Sequence, residues 1–347
     1  MSARMLISLD AMGGDNAPQM VVDGVDIALK RFPDAKFLLF GDEQRVAPLL
    51  AARPAVAAAS EIRHTAEAVT GDMKPSVALR AGRGSSMRLA INAVQAGEAH
   101  GVVSAGNTGA LMAMSKFVLK TLASIDRPAI ASFFPTLRGE SVMLDLGANV
   151  ECTADNLVQF AVMGDAFART VLGVQQPSIG ILNVGSEELK GHEEVRAAAA
   201  ILRAGPLAEQ FHGFVEGNDI TQGTTDVVVT DGFTGNVALK TAEGTARLYS
   251  AFLRGAFQSS VAAKLGYVFA RHALQKVRER TDPRRYNGAM FLGLNGIVVK
   301  SHGGTDALGF ANAIGVAIDM VSHGINARIR DELAQVAAAP RPEAALG

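Results

Sequence analysis

Six loops, each set directly after an apolar run, hold the polar residues best suited to gripping a small anion. They are Asp10-Ala11-Met12-Gly13-Gly14-Asp15-Asn16, Ser104-Ala105-Gly106-Asn107-Thr108-Gly109, Asp145-Leu146-Gly147-Ala148-Asn149, Asn183-Val184-Gly185-Ser186-Glu187, Asp231-Gly232-Phe233-Thr234-Gly235-Asn236 and Ser301-His302-Gly303-Gly304-Thr305-Asp306. Each leads from a strand-like run into a helix-like one. A junction of that kind aims free backbone N–H groups at whatever occupies the loop, and the helix dipole favours an anion there. In the first loop, Asp15 or Asn16 is expected to cap a helix that Pro18 starts. Any one of these loops, taken alone, reads equally as a strand-to-helix turn with glycines chosen for positive φ. As a set they converge Asp10, Asn16, Ser104, Asn107, Thr108, Asp145, Asn149, Asn183, Asp231, Asn236 and His302, and they point to one shared functional cleft.

Several chemistries are excluded by motif. The chain has no GxxxxGK(S/T) cradle, no GxGxxG after a strand, no HExxH and no GxSxG. A Walker-type site, an ordinary dinucleotide dehydrogenase, a zinc protease and a hydrolase serine elbow therefore drop out. His192-Glu193-Glu194 lacks a second histidine and reads as a helix start. Cys152 has no evident histidine partner, so a small buried residue is the better reading than a nucleophile. What remains is a reaction in which the substrate brings the nucleophile, and inorganic phosphate suits it. The protein then has to hold phosphate, strip its water and offer donors to a developing oxyanion. Backbone N–H groups, Asn and Thr side chains, and Lys190 or Lys300 can do this. One well-placed oxyanion donor is worth on the order of 10²–10³ in rate.

The elements that must position these residues alternate. Apolar, β-branched runs such as Gly101-Val102-Val103-Ser104, Val227-Val228-Val229-Thr230 and Ile297-Val298-Val299-Lys300 read as strands buried on both faces, each followed by a helix. A mostly parallel sheet with helices on both sides follows, with ligands at the carboxyl ends of the strands. The 347 residues are 48% hydrophobic, enough for a sizeable core, and a net charge of −1 argues against a broad nucleic-acid face. A single cysteine excludes an internal disulfide and a cysteine zinc cluster and fits a reducing compartment. The apolar start ends too soon at Asp10 for a secretory signal. No apolar run reaches the roughly 18 residues of a spanning helix.

Two stretches break the rhythm. Residues 68–83 are interrupted by Gly71, Asp72, Lys74 and Pro75 and carry Arg80 and Arg83, which fits either a lid over an anionic substrate or a surface connection. Residues 243–285 are long, helical and strandless. Leu248, Tyr249, Phe252, Leu253 and Phe257 form a stripe, continued by Val261, Leu265, Val268 and Phe269 past Ser259-Ser260, with Gly266 as a candidate tip. Lys264, Arg271, Lys276, Arg278, Arg280, Arg284 and Arg285 flank it. This pattern suits a membrane interface or acidic partner, and equally a helix pair at a dimer interface. From Ala337 the chain reads as a flexible tail.

With these motifs in hand, the chain closely resembles the bacterial phosphate acyltransferase family known as PlsX, from Leu6 to about Arg330. The resemblance rests on Asp10-Ala11-Met12-Gly13-Gly14-Asp15, Ser104-Ala105-Gly106-Asn107-Thr108-Gly109-Ala110, Asp145-Leu146-Gly147-Ala148-Asn149, Lys190-Gly191, Asp231-Gly232-Phe233-Thr234-Gly235-Asn236 and Lys300-Ser301-His302-Gly303. It implies a three-layer α/β/α fold with a mixed sheet, like isocitrate and isopropylmalate dehydrogenases, as one domain (1–336) of two intertwined lobes. It also implies transfer of a fatty acyl group from acyl-(acyl carrier protein) to inorganic phosphate, without cofactor or metal, giving acyl phosphate for phospholipid synthesis.

The implied protein is a cytoplasmic homodimer, peripherally attached to the membrane. Residues 252–274 form the hairpin, and Phe257, Val261, Leu265, Val268 and Phe269 face lipid. A membrane acyltransferase takes the product. The expected catalytic residues are Asn107, Lys300, His302 and Asn236. The expected substrate-binding residues are Asp10, Gly13, Gly14, Asn16, Ser104, Gly106, Thr108, Asn183, Lys190 and Asp231. Arg80, Arg83, Lys190 and the 276–285 cluster are the expected contacts to the acidic carrier protein. Two alternatives are a phosphotransacetylase-like enzyme using acyl-coenzyme A and a non-catalytic anion-binding protein at a membrane.

Overall fold

The computed structural model describes residues 5–280, 282 and 284–338. The chain begins β1 (Leu6–Asp10), α1 (Gln19–Arg31), β2 (Lys36–Gly41), α2 (Glu43–Ala51), α3 (Pro54–Ala59) and β3 (Ser60–His64). It continues α4 (Pro75–Ala81), α5 (Ser86–Gln95), β4 (Gly101–Ser104), α6 (Thr108–Leu119), β5 (Ala129–Thr136) and β6 (Gly139–Leu144). Next come α7 (Ala154–Phe167, prolonged by a π-helical turn, Ala168–Leu172), β7 (Ile179–Leu182), α8 (Glu193–Ala204), β8 (Phe211–Val215), α9 (Gly217–Gln222) and β9 (Val227–Val229). It ends α10 (Gly232–Gln258), α11 (Val261–Arg280), β10 (Ala289–Leu292), β11 (Ile297–Lys300), α12 (Ala307–Ser322) and α13 (Ile325–Ala338). The rest of the expected tail lies outside the described residues.

The strands form one sheet in the order β3-β2-β1-β4-β11-β10-β5-β6-β9-β7-β8. Side chains alternate between its faces, as the two-residue period of a strand requires. Ile7, Leu9, Val103 and Val299 join one apolar layer with Phe160, Phe167 and Phe310 from the helices. Leu38, Val102 and Val298 join the other, with Met87, Ile91, Leu111 and Met114. This is the α/β/α arrangement expected from strands buried on both faces. The close seating of α1 on α12 depends on Gly24, where a Cβ would come within 2.9 Å of the Phe310 ring.

Seven of the ten strand pairings are parallel. The other three sit at the centre: β10 is antiparallel to both β11 and β5, and β5 is antiparallel to β6. Three reversals in a row leave β6, β9, β7 and β8 running opposite to β1, β2, β3, β4 and β11. The carboxyl ends of the two groups therefore point in opposite directions, but the pairings set Leu144 level with Val299 through Ala131 and Met290, so the loops after β6 and β11 start at nearly the same height with β10 and β5 between them. The six loops thus form two sets, one on either side of β10 and β5. The residues of β5 and β10 carry no loop motif of their own, so nothing in the motif pattern signalled the reversal.

Two local expectations also change. The residue preceding α1 is Pro18, which offers no side-chain cap, so neither Asp15 nor Asn16 caps that helix. In the strandless stretch, α10 runs unbroken from Gly232, the break falls at Ser259-Ser260, and Gly266 lies inside α11. The Ser260 hydroxyl accepts the Ala263 N–H at 3.0 Å, which starts α11 in the manner of a helix cap. Beyond its first turns this hairpin packs mainly on itself. Leu248, Tyr249, Phe252, Val261, Leu265, Val268 and Phe269 stand exposed, Phe269 at 88%. Among the described residues no single helix is long and apolar enough to cross a membrane.

Candidate functional site

At one end of the sheet, β1, β4 and β11 deliver three of the loops side by side. Asp10 closes β1 and its carboxylate is buried. It accepts the Ser86 hydroxyl at 2.6 Å, the Ser104 hydroxyl at 2.7 Å and the Met12 N–H at 3.3 Å. Burial pushes its carboxyl above the ordinary value, against the pull of those hydrogen bonds. Ser104 in turn accepts the Gly106 N–H at 3.0 Å. Asp10 is thus the internal tie of this corner. Glycine is needed around it: a Cβ on Gly13 would lie 2.4 Å from Asp10 Oδ2, and Gly14 has φ +103° with Ala105 and Gly303 against it.

Lys300 ends β11 in the same corner, 8% exposed. Its ammonium donates to the carbonyls of Ala105, at 3.4 Å, and Ser301. Burial pulls its pKa down to about 8, while the charges of Asp10 and Asp15 hold it up. The exposed His302 ring accepts the Gly304 N–H through Nδ1 at 3.2 Å, which leaves Nε2 to carry the proton of the neutral ring. Asn16 donates to the Thr305 carbonyl at 3.2 Å, and the Asp15 N–H to the Gly303 carbonyl at 2.9 Å. These bonds stitch the first and last loops together. Thr108 and Gly109 open α6 exposed to solvent, at the helix end whose first N–H groups have no partner within the helix.

Asn107 is differently placed from the expectation. Its Oδ1 accepts the Ala110 N–H at 3.0 Å and caps α6. Its Nδ2 donates to the carbonyls of Gly71, at 2.8 Å, and Met73, at 2.9 Å. Both amide hydrogens are occupied, so the side chain offers no donor to a ligand in this conformation.

Three residues not among the expected catalytic or substrate-binding residues complete the corner. Ser86 lies in the first turn of α5, and Asn287 and Ser301 flank the β10–β11 hairpin. The buried Asn287 amide donates to the Ser301 hydroxyl at 2.8 Å and to Thr305 Oγ1 at 3.3 Å, and its carbonyl accepts the His302 N–H at 2.8 Å. The Asn287-Gly288 turn pair was their only local signal.

The remaining candidates stand on the other side of β10 and β5, three strand spacings or roughly 14 Å across the sheet from β11. Asp145 is buried after β6 and accepts the N–H groups of Ile130, Gly147, Ala148 and Asn149 and the Asn149 amide, at 2.7–3.2 Å. Burial again raises its carboxyl. Asp231 caps α10 by accepting the Thr234 N–H at 2.8 Å. Asn236 donates to the Leu146 carbonyl at 3.0 Å. Asn183 donates to the Gly185 and Lys190 carbonyls at 3.2 and 3.0 Å. The exposed Lys190 pairs with Glu187 at 2.8 Å. The Cys152 thiol is pushed up to about 12 by burial and by Asp145 and Asp231, which keeps it protonated near neutral pH and unsuited to attack. Among the described residues no three His, Cys, Asp or Glu side chains are grouped to hold a metal.

The model of a family described as fatty acid synthesis protein matches residues 5–328. A phosphate acyltransferase of Rhodospirillum centenum is 71% identical over 339 residues, 98% of this chain and 96% of that one. Another, from Paramagnetospirillum magneticum, is 66% identical over 332 residues, 96% of this chain and 95% of that one. A phosphotransacetylase structure from Streptococcus pyogenes superposes with TM-score 0.62 at 17% identity, covering 93% of this chain and 95% of that one. A branched-chain phosphotransacylase from Enterococcus faecalis gives 0.58 at 13% identity, covering 92% and 99%. The two structural likenesses establish a shared fold.

Proposed function

We infer the reaction from one premise: this chain belongs to the fatty acid synthesis protein family, the family of the phosphate acyltransferases, and it is an acyltransferase. Its acyl donor is acyl-(acyl carrier protein), its acceptor is inorganic phosphate, and its product is acyl phosphate for phospholipid synthesis. A phosphate oxygen attacks the thioester carbonyl directly. The carbon–sulfur bond of the tetrahedral intermediate then breaks, and the carrier thiolate leaves and takes a proton.

The observation that carries this reading is Lys300. A buried ammonium at a strand end, beside the opening of α6, is a fixed positive charge in a water-poor corner, where it is worth far more than in water. With a pKa near 8 it stays charged around neutral pH. It therefore stabilises phosphate and the developing oxyanion, and it is matched in acidity to a leaving thiol of pKa about 8.5. Asp10 does not touch phosphate; it orders the loops through Ser86, Ser104 and Met12. The decisive assay is phosphate-dependent release of free thiol from acyl carrier protein. A clear preference for acyl-coenzyme A at equal concentration would instead favour a phosphotransacetylase-like enzyme.

The protein works as a cytoplasmic homodimer held peripherally at the membrane, where a membrane acyltransferase takes its product. The supporting observation is the hairpin of α10 and α11, with Val261, Leu265, Val268 and Phe269 exposed. Phe257 lies half-buried against Tyr267, ring centroids 5.4 Å apart. Replacing Leu265 and Phe269 with glutamate is expected to release the protein from anionic vesicles; unchanged binding would leave the hairpin as a dimer contact only. Arg80, Arg83, Lys190 and the 276–285 cations are the docking contacts for the carrier protein, so turnover should fall as salt rises.

A further inference from the structure

Residues 65–86 leave β3 and return to α5 as a strap whose two feet are tied together. The Thr65 hydroxyl donates to the Gly84 carbonyl at 2.6 Å, and the Ser86 N–H to the Glu67 carbonyl at 2.9 Å. Between the feet, Val69 and Ala78 are buried in the apolar layer that holds Leu111 and Met114 of α6. The tip, residues 70–75, is largely exposed. Met73 packs half-buried against the same layer, and the Asn107 amide fastens the tip by donating to the Gly71 and Met73 carbonyls at 2.8 and 2.9 Å. The tip lies over the opening of α6, where a Cβ on Gly109 would meet Pro75 Cγ at 2.7 Å.

We propose that Asn107 is a clasp that holds the 70–75 tip shut over the start of α6, and that the tip opens to admit substrate and closes to retain phosphate. Asn107 is then a positioning residue, acting through the strap and not on the reacting atoms. Its division of labour is visible in the two ends of one amide: the oxygen caps the helix and the nitrogen closes the strap. The proposal rests on the acyl-transfer reading for what passes the tip, but the clasp itself is independent of it.

Asn107→Ser separates the two roles, because serine caps a helix about as well as asparagine, adds no charge, and lacks the amide hydrogens. Hydrogen exchange in the peptide spanning 70–78 should quicken by about tenfold or more, since two hydrogen bonds are lost, with little change in melting temperature. Inorganic phosphate should bind about tenfold more weakly, and in turnover the phosphate KM should rise more than kcat falls.

A second variant pins the tip. A Cβ on Gly109 lies 3.8 Å from that of Pro75, the usual separation across a disulfide. Oxidised Pro75→Cys/Gly109→Cys protein should lose at least about tenfold in thiol release and recover on reduction. Three results would overturn the proposal. One is unchanged exchange in Asn107→Ser. Another is a large loss of kcat with exchange and phosphate KM as in the unsubstituted protein, which would put Asn107 on the reacting atoms. The third is an oxidised pinned form as active as the reduced one. If the unsubstituted protein releases no thiol with phosphate, the acyl-transfer reading fails, while exchange and phosphate binding still decide the clasp.

Discussion

At one end of the sheet the buried Asp10 carboxylate accepts two hydroxyls and one backbone N–H, and Lys300 stands in the same corner with Asp10 and Asp15. Across β10 and β5 the buried Asp145 carboxylate accepts four backbone N–H groups and the Asn149 amide, with no buried lysine beside it. The two loop sets share their glycines, their caps and their placement after a strand. They differ in what is left over. Around Asp145 the polar groups satisfy one another, and the result is a rigid turn. Around Asp10 a buried cation and the first N–H groups of α6 remain to be used. Charge and hydrogen-bonding capacity not consumed by the fold distinguish a site from a well-made turn.

The sharpest way to test that contrast is Lys300→Met. Turnover should fall on the order of 10²–10³, as for loss of an oxyanion donor. Stability should rise at the same time. A lysine whose folded pKa is about 8 loses its proton before the unfolded lysine does. Folding therefore carries a cost below pH 8, which fades as pH climbs towards 10.5. A more stable, inactive variant would mark a functional charge; a less stable one would make Lys300 a structural residue. In the unsubstituted enzyme, turnover should decline as pH rises through about 8.

The same substitution at the two carboxylates comes next. Asp145→Asn turns an amide NH₂ towards donors that cannot reverse and should cost about 3 kcal/mol, read by denaturant unfolding. Asp10→Asn faces hydroxyls that can turn and accept, and should cost only about 1 kcal/mol. It also removes a negative charge that holds the Lys300 pKa up, so the alkaline decline in activity should move to lower pH. Equal stability costs at the two positions would erase the distinction between the two loop sets.

The smallest expected effect is that of Asn236→Ala. Its amide holds the Leu146 carbonyl, so a loss near 1 kcal/mol and a rate within about threefold of the original are expected. A hundredfold loss of rate at unchanged stability would break the comparison and bring the second loop set into the reaction.

Much of the local structure was legible from residue order. Val227-Val228-Val229 and Ile297-Val298-Val299 could only be buried strands. Ser85, Asn107, Thr153, Asp231 and Asp306 cap helices as their types and positions foretell. The break in the long hairpin is written in Ser259-Ser260. Asp10 and Lys300 were legible as site candidates, and Asp145, Asn183, Asp231 and Asn236 were equally legible, by the same signs, although their side chains bond mostly to their own loops. Ser86 and Asn287 were not legible: a serine in the first turn of a helix and an asparagine in a turn reveal a buried partner only when a distant segment supplies it.

By itself, then, the sequence determined the alternation of strands and helices, the two buried faces of the sheet, the glycine-rich turns and the family. Those follow from periodicity and local backbone preference, which act over a few residues. Tertiary structure alone decided that β10 and β5 reverse the sheet and part the loops into two groups. It also decided that Lys300 shares a corner with Asp10, and that Asn107 spends its amide on a strap more than 30 residues earlier in the chain. These are questions of which distant groups meet, and so of which charges and hydrogen bonds are left for a ligand. No local pattern encodes that remainder, because it is fixed only when every other group has found its partner.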